Sequence, residues 1–303
     1  MAEALKLPII DLSASDVISS ANSIRQACIE CGFFYLVNHG VEEELLDQVF
    51  EESSKFFSLP LEDKSKLVNK LHRGYTPLLV ENLDPNSSST GDSKEGFCIG
   101  PFDNVTQSSL NQWPSEDILP SWRRTMESYY RKLHFAGKRL ISLIALALDL
   151  DEDFFEKVET RPTPFLCLLH YPGQLGSSDK EIYGAAAHSD FGIATLLASN
   201  GVPGLQVCRE KSKQPQVWED VLHVNGSFVV NLGNVMERLT NCLFRSTLHR
   251  VRPAGRERYS VAFFLNPNEE FMVECLAGFC NESSPARFPP IRGGDYLKEH
   301  IAS

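Results

Sequence analysis

Two spacings of apolar residues divide the chain. Up to about residue 150 the apolar positions recur mostly at three- and four-residue steps, which places them on one face of a helix. Residues 42–57 carry Leu45, Val49, Phe50, Phe56 and Phe57 in this way, and residues 122–150 carry Met126, Tyr130, Leu133, Gly137, Leu140, Ile144 and Leu148. A helical pattern also runs through residues 21–31. Short strands interrupt this half: residues 8–12, and the aromatic and β-branched run 32–37 closed by the turn Asn38-His39-Gly40. Residues 82–92, rich in Asn, Ser, Pro, Gly and Asp, read as a loop. From Phe165 the pattern turns strand-like, with runs at 165–171, 193–198, 205–207, 228–232 and 259–265 separated by turn residues. Helices first and many short strands afterwards predict a mainly β core with helical covering, an α+β chain without alternating βαβ units.

Composition narrows the class. With 42% hydrophobic and 23% charged residues the 303-residue chain is ordinary globular material, long enough for a sizeable core. A net charge of −11 excludes a polyanion-binding surface as the main business of the chain, so no nucleic-acid partner is expected. No apolar run reaches the roughly 18 residues that span a bilayer. The first residues lack the basic and apolar regions of a signal peptide, and the last do not read as an anchor, so a cytoplasmic protein without membrane contact is expected. The eight cysteines are scattered rather than set in a disulfide framework, and reduced, mostly buried thiols are expected. Cys28 and Cys31 form a C-x-x-C with no second such pair to complete a zinc site.

Candidate chemistry begins at His188-Ser189-Asp190. Residues two apart on a strand point to the same side, so the imidazole and carboxylate can converge on one metal ion. His249, brought alongside from a distant strand, supplies a third ligand. Two histidines and one carboxylate on one face leave open positions opposite, the arrangement of non-haem iron(II) oxygenases. By itself His-x-Asp is a weak signal, since a surface strand with a solvated Asp and a half-buried His has the same letters. Arg258 and Ser260 share one strand face, and a guanidinium with a neighbouring hydroxyl suits a carboxylate; a structural Arg–Asp pair is the alternative.

His188-x-Asp190, His249 and Arg258-x-Ser260 resemble the signature of the 2-oxoglutarate/iron(II) dioxygenase superfamily, in its plant-type, isopenicillin N synthase-like branch. The likeness extends over nearly the whole chain: residues 32–41 (GFFYLVNHGV), 56–60 (FFSLP), 72–75 (HRGY), 92–97 (DSKEGF), 204–207 (GLQV) and 228–233 (FVVNLG) are similar to the branch's landmarks. The resemblance implies a double-stranded β-helix (jelly-roll) core with the site inside one mouth. It implies iron(II), 2-oxoglutarate as co-substrate, dioxygen, and ascorbate as a reductant. Arg258 and Ser260 would hold the distal carboxylate of 2-oxoglutarate, with Tyr171 of the Tyr171-Pro172 pair beside them. Relatives carry Asn two positions before that tyrosine, where this chain has Leu169, and their Pro- and Cys-containing stretch is replaced by residues 173–176. A small organic molecule is the implied substrate, hydroxylated as 2-oxoglutarate is decarboxylated to succinate and carbon dioxide. Phe264 matches a substrate-contacting position of some relatives; Phe97 and Tyr75 are further pocket candidates, with core packing as their alternative. His39 belongs to the structural N-terminal motif.

The expected organisation is one catalytic unit and a monomer. Residues 1–120 form an N-terminal region, 121–160 a long supporting helix, 161–270 the jelly-roll core and 271–303 a C-terminal segment. Two other readings stay open at this point. One is an iron oxidase of the same fold whose Arg-x-Ser serves another carboxylate; the other is a non-catalytic ligand-binding protein. A zinc hydrolase on the same ligands lacks an evident general base.

Overall fold

The apolar stripes and runs become elements with small shifts at their ends. The computed structural model describes residues 5–84, 91–102, 108–155, 164–173 and 182–301. Its first part contains β1 (Ile9–Asp11), α1 (Val17–Glu30), β2 (Phe33–Val37), α2 (Glu43–Phe57), α3 (Leu61–Ser65), β3 (Gly74–Thr76), β4 (Glu95–Ile99) and α4 (Trp122–Ala147). The rest contains β5 (Phe165–Tyr171), β6 (Ala185–His188), β7 (Ala194–Ser199), β8 (Leu205–Cys208), β9 (Glu219–Asp220), β10 (Phe228–Leu232), α5 (Asn234–Leu239), β11 (Leu248–Val251), β12 (Arg258–Leu265), β13 (Met272–Val273), β14 (Ile291–Arg292) and α6 (Gly293–Ile301). Of the expected loop 82–92, residues 85–90 lie outside the described residues, as do residues 174–176 of the departure after Tyr171.

Eight strands in the order β1-β2-β10-β7-β12-β5-β4-β3 form one sheet, and β6-β11-β8-β9 form a second. The large sheet is buried on both faces, which is why β12 reads as a nearly unbroken apolar run. Its alternate residues Tyr259, Val261, Phe263 and Leu265 join the core that the sheet shares with α1, α2 and α4. Gly137 lets α4 approach β12: a Cβ there would lie 2.8 Å from Leu265 Cδ2. A second apolar cluster, including Phe33, Tyr35, Tyr171, Leu205, Val207 and Val251, fills the space between the two sheets. Two facing sheets around an interior cluster, with helices on the outer face of the larger, constitute the expected jelly roll with helical covering. Among the described residues no helix is long and apolar enough to cross a membrane.

The cysteine expectation needs one correction. Cys98 on β4 and Cys167 on β5 sit directly opposite each other, with Cα atoms 4.1 Å apart, and are joined by a disulfide. Their separation in sequence hid a pairing that the antiparallel register creates. The other cysteines are free thiols. Burial pushes the Cys31 thiol up to about 11 and that of Cys28 higher still, so this C-x-x-C is inert.

The register also sorts the pocket candidates. Tyr75 pairs with Phe97, which pairs with Leu168, which pairs with Val261, so all four share the helix-facing side. Phe97 packs edge-on against Phe56 and Trp122, at centroid distances of 4.8 and 5.0 Å. Tyr75 donates its hydroxyl to the buried Glu95 carboxylate. Both belong to the core on the helix-facing side, not to the interior between the sheets where a substrate would meet the metal. Phe97→Ala is expected to cost about 3–5 kcal/mol of stability through the cavity it leaves. Urea unfolding measures this loss, and the KM for the organic substrate should not change in the folded fraction.

Candidate metal and co-substrate site

The site lies between the two sheets. His188 ends β6 and pairs across the ladder with His249 of β11, the imidazole centroids 4.2 Å apart. Phe33 from the large sheet stands edge-on to His249 at 5.5 Å. Asp190 brings Oδ1 to 3.6 Å from His188 Nε2 and 3.5 Å from His249 Nε2. Donor atoms of the three residues all lie within 4.8 Å of one another, and theirs is the one such histidine, cysteine or carboxylate group among the described residues.

Asp190 reaches this position differently from the strand argument. β6 stops at His188, so Asp190 lies past the strand and alternation does not aim it. Backbone bonds fix the turn instead: Asn234 N–H donates to the Asp190 carbonyl at 2.8 Å, and Val235 N–H to that of Phe191 at 3.1 Å. Gly233 approaches Gly192 so closely that a Cβ would lie 2.2 Å from the Gly192 carbonyl oxygen. The carboxylate itself is held through Oδ2, which accepts from Thr195 Oγ1 at 2.5 Å and Asn231 Nδ2 at 2.7 Å. Thr195 and Asn231 are direct partners on β7 and β10.

These contacts sort the donor atoms. His188 Nδ1 lies 2.7 Å from the Ala186 carbonyl and His249 Nδ1 3.1 Å from that of Thr247. A carbonyl only accepts, so each Nδ1 carries a proton, which leaves each Nε2, facing Asp190 Oδ1, as the nitrogen available to a metal. Burial, then the neighbouring His249, pulls His188 down to about 4, which favours the neutral imidazole a metal needs. Burial by itself would raise Asp190, but the charge and hydrogen bond of His249, with His188 and Asn231, hold it below the usual carboxylate range. Burial likewise opposes the charged form of His249, and Asp190 outweighs it and raises that imidazole. Two imidazole Nε2 atoms and one carboxylate oxygen, with the second oxygen already satisfied, are a fitting donor set for iron(II), which would take the place of the His249 Nε2 proton.

Arg258 supplies the other half. It is 2% exposed, donates from Nε to the Val202 carbonyl at 3.2 Å and from a terminal nitrogen to Ser260 Oγ at 3.2 Å. Its guanidinium lies 4.7 Å from the centre of the Tyr171 ring. No carboxylate is paired with it among the described residues. Burial lowers its pKa from the ordinary arginine value, and a buried cation without an anion is costly. The cradle of Arg258, Ser260 and Tyr171 therefore fits an incoming carboxylate. Leu169 sits between Ser260 and Gly96 in the same register, an apolar neighbour to this cradle. Phe264, three alternations along β12 from Arg258, is half-buried and pairs with Thr195, placing it on the metal-facing side.

Two residues that hold the carboxylate, Thr195 and Asn231, went unmarked in sequence. Each is a polar side chain inside an apolar strand run, at a position whose alternation points inward, and that was the available signal. Asn231→Ala is expected to weaken iron(II) binding about 10–100-fold by freeing the Asp190 carboxylate to rotate. Anaerobic titration of the variant reads the change.

A jelly roll holding a two-histidine, one-carboxylate group and a buried arginine that stacks on the interior Tyr171 defines a mononuclear non-haem metal oxygenase scaffold. Comparison with known proteins agrees. Residues 7–116 match the N-terminal family described as non-haem dioxygenase in morphine synthesis, and residues 162–267 match the 2OG-Fe(II) oxygenase superfamily. Kihadalactone A synthase LFS of Citrus sinensis is 41% identical, over 96% of this chain and 90% of that protein. Azadirone synthase LFS of Melia azedarach is 39% identical over the same shares. Among solved structures, a full-length Neurospora crassa protein in complex with alpha-KG superposes with a TM-score of 0.87 at 28% identity, covering 99% of this chain and 97% of that one. JOX2 in complex with 2OG, Fe and JA gives a TM-score of 0.81 at 28% identity, covering 98% and 85%. The chain belongs to the 2OG-Fe(II) oxygenase superfamily. It is an oxidoreductase, an iron(II)- and 2-oxoglutarate-dependent dioxygenase acting on a small metabolite.

Proposed function

We propose that His188, Asp190 and His249 hold the iron(II), that Arg258, Ser260 and Tyr171 receive the distal carboxylate of 2-oxoglutarate, and that the product is a hydroxylated small organic molecule. The observation that carries the ligand assignment is the division of labour at Asp190: Oδ2 is tied to Thr195 and Asn231, and Oδ1 faces two imidazoles whose other nitrogens are tied to carbonyls. Bound iron(II), with 2-oxoglutarate and dioxygen, supplies the oxidising chemistry, and 2-oxoglutarate leaves as succinate and carbon dioxide. The protein's own part is placement. The buried Arg258 guanidinium orients the co-substrate through charge-assisted hydrogen bonds, and the apolar interior around Tyr171 and Leu169 keeps water from that pair.

Phe264 is the proposed wall of the substrate pocket, since it shares the interior face with Ser260 and stands opposite Thr195. Similar proteins bind compact organic molecules: a second structure of the Neurospora crassa protein contains thymine, and JOX2 contains JA. The whole chain, residues 1–303, is proposed to work as one unit and as a cytoplasmic monomer, without nucleic-acid or membrane partners; the net charge of −11 supports the absence of a nucleic-acid partner. The test is a screen of small organic compounds for 2-oxoglutarate-dependent succinate release coupled to a mass gain of one oxygen. Succinate release that no compound stimulates above the uncoupled background would count against the hydroxylase reading.

A further inference from the structure

We propose that Asp92, with Lys94 as its counter-ion, is a positioning residue for the iron ligand His188, acting on a slip in the strand that carries it. β6 is an edge strand with β11 as its one neighbour in the sheet. His249 pairs with His188 and Val251 with Ala185, so the two strands advance by unequal numbers of residues between these pairs and β6 holds the extra one. A bulge of this kind takes a residue out of the ladder and re-aims the side chains beside it. Here the neighbouring side chain is the first residue of the proposed iron triad.

The bulge is closed by a side chain from the N-terminal half. Asp92 Oδ1 accepts from the Ala186 N–H at 3.0 Å, and the carbonyl of the same Ala186 faces His188 Nδ1 at 2.7 Å. One peptide segment therefore connects the Asp92 carboxylate to the orientation of the imidazole. Ser93 N–H adds a bond to the Tyr183 carbonyl at 2.8 Å, so two consecutive residues clamp the entry to β6. Asp92 is 3% exposed, and a carboxylate so buried needs a cation. Lys94, 5% exposed, provides it from 2.6 Å and also reaches Glu81 at 2.8 Å. The backbone of Asp92 is fixed as well, with its N–H on the Glu81 carbonyl at 2.7 Å and its own carbonyl accepting from Leu79 at 3.2 Å. The segment around residue 92 is a brace: a charge-balanced acceptor held against a strand whose ladder slips.

This inference rests on the reading of His188 as an iron ligand, and the test separates the two. Iron(II) affinity is measured anaerobically, without 2-oxoglutarate, for the wild-type protein, Asp92→Ala and Asp92→Asn, with a thermal melt of each metal-free protein. Asparagine keeps an acceptor for the Ala186 N–H, and Lys94 keeps Glu81. The expected result is about 10–100-fold weaker iron binding in Asp92→Ala, the range for lost support of a ligand, with Asp92→Asn within about threefold of wild type. Equal affinities in all three proteins, or equal losses in both variants, would overturn the positioning role while leaving the iron reading intact. Failure of the wild-type protein to bind iron would overturn both. If Asp92→Ala does not fold, amide hydrogen exchange on the wild-type protein decides: strong protection at Ala186 supports the brace, and exchange as fast as at an open strand edge refutes it.

Discussion

His249→Ala is expected to give a folded protein that has lost iron(II) binding and, with it, all coupled turnover. His249 is 7% exposed and pairs in regular register with Val207 on the β8 side, so truncation should leave the β11–β8 pairing in place. Three side chains are proposed to share the metal, and losing a residue that merely supports a ligand typically costs about 10–100-fold in affinity. Removing a ligand itself should cost more than that, upwards of about a hundred-fold in affinity. The loss is compounded at Asp190, whose charge is supported first by His249 among its neighbours. Equilibrium dialysis against iron(II) measures the affinity, and circular dichroism confirms the fold. Wild-type affinity in this variant would remove His249 from the triad.

Arg258→Ala has the second large effect, and it is of a different kind. The iron triad keeps every contact, so metal binding should change little. The co-substrate loses its buried cation, and truncating one partner of a buried charge pair costs about 2–5 kcal/mol. That corresponds to a KM for 2-oxoglutarate raised from roughly 30-fold to a few thousand-fold. Arg258→Lys should fall between, because an ammonium keeps the charge but loses the planar fork that meets a carboxylate through two bonds. Steady-state kinetics with 2-oxoglutarate as the varied substrate separates the two variants. An unchanged KM in Arg258→Ala would assign this guanidinium to some other anion.

The pattern of the strands and of the long helix was legible because both are written in local spacing. α4 begins at Trp122 as its stripe predicts, and β5 and β10 have the expected ends. The residue types of the site were legible through the resemblance of His188-x-Asp190, His249 and Arg258-x-Ser260 to a family signature, because His-x-Asp alone has the same letters on any half-buried strand. What local spacing could not carry is register. It is register that puts Phe97 and Tyr75 on the helix-facing side, sets Cys98 against Cys167, and lets β6 end before Asp190. Asn231 and Thr195 illustrate the same point. Each is one polar letter in an apolar strand, and only the pairing of β7 with β10 shows them converging on one carboxylate oxygen.

The central claim is that this triad and this arginine hold iron(II) and 2-oxoglutarate together in one interior chamber. Anaerobic addition of iron(II) and then 2-oxoglutarate to metal-free protein, followed by visible absorption, tests it without knowledge of the organic substrate. A metal-to-ligand charge-transfer band should appear only when both are present, be absent in His249→Ala, and require far more 2-oxoglutarate in Arg258→Ala. Iron that binds without giving the band, or a band of full strength in His249→Ala, would contradict the account.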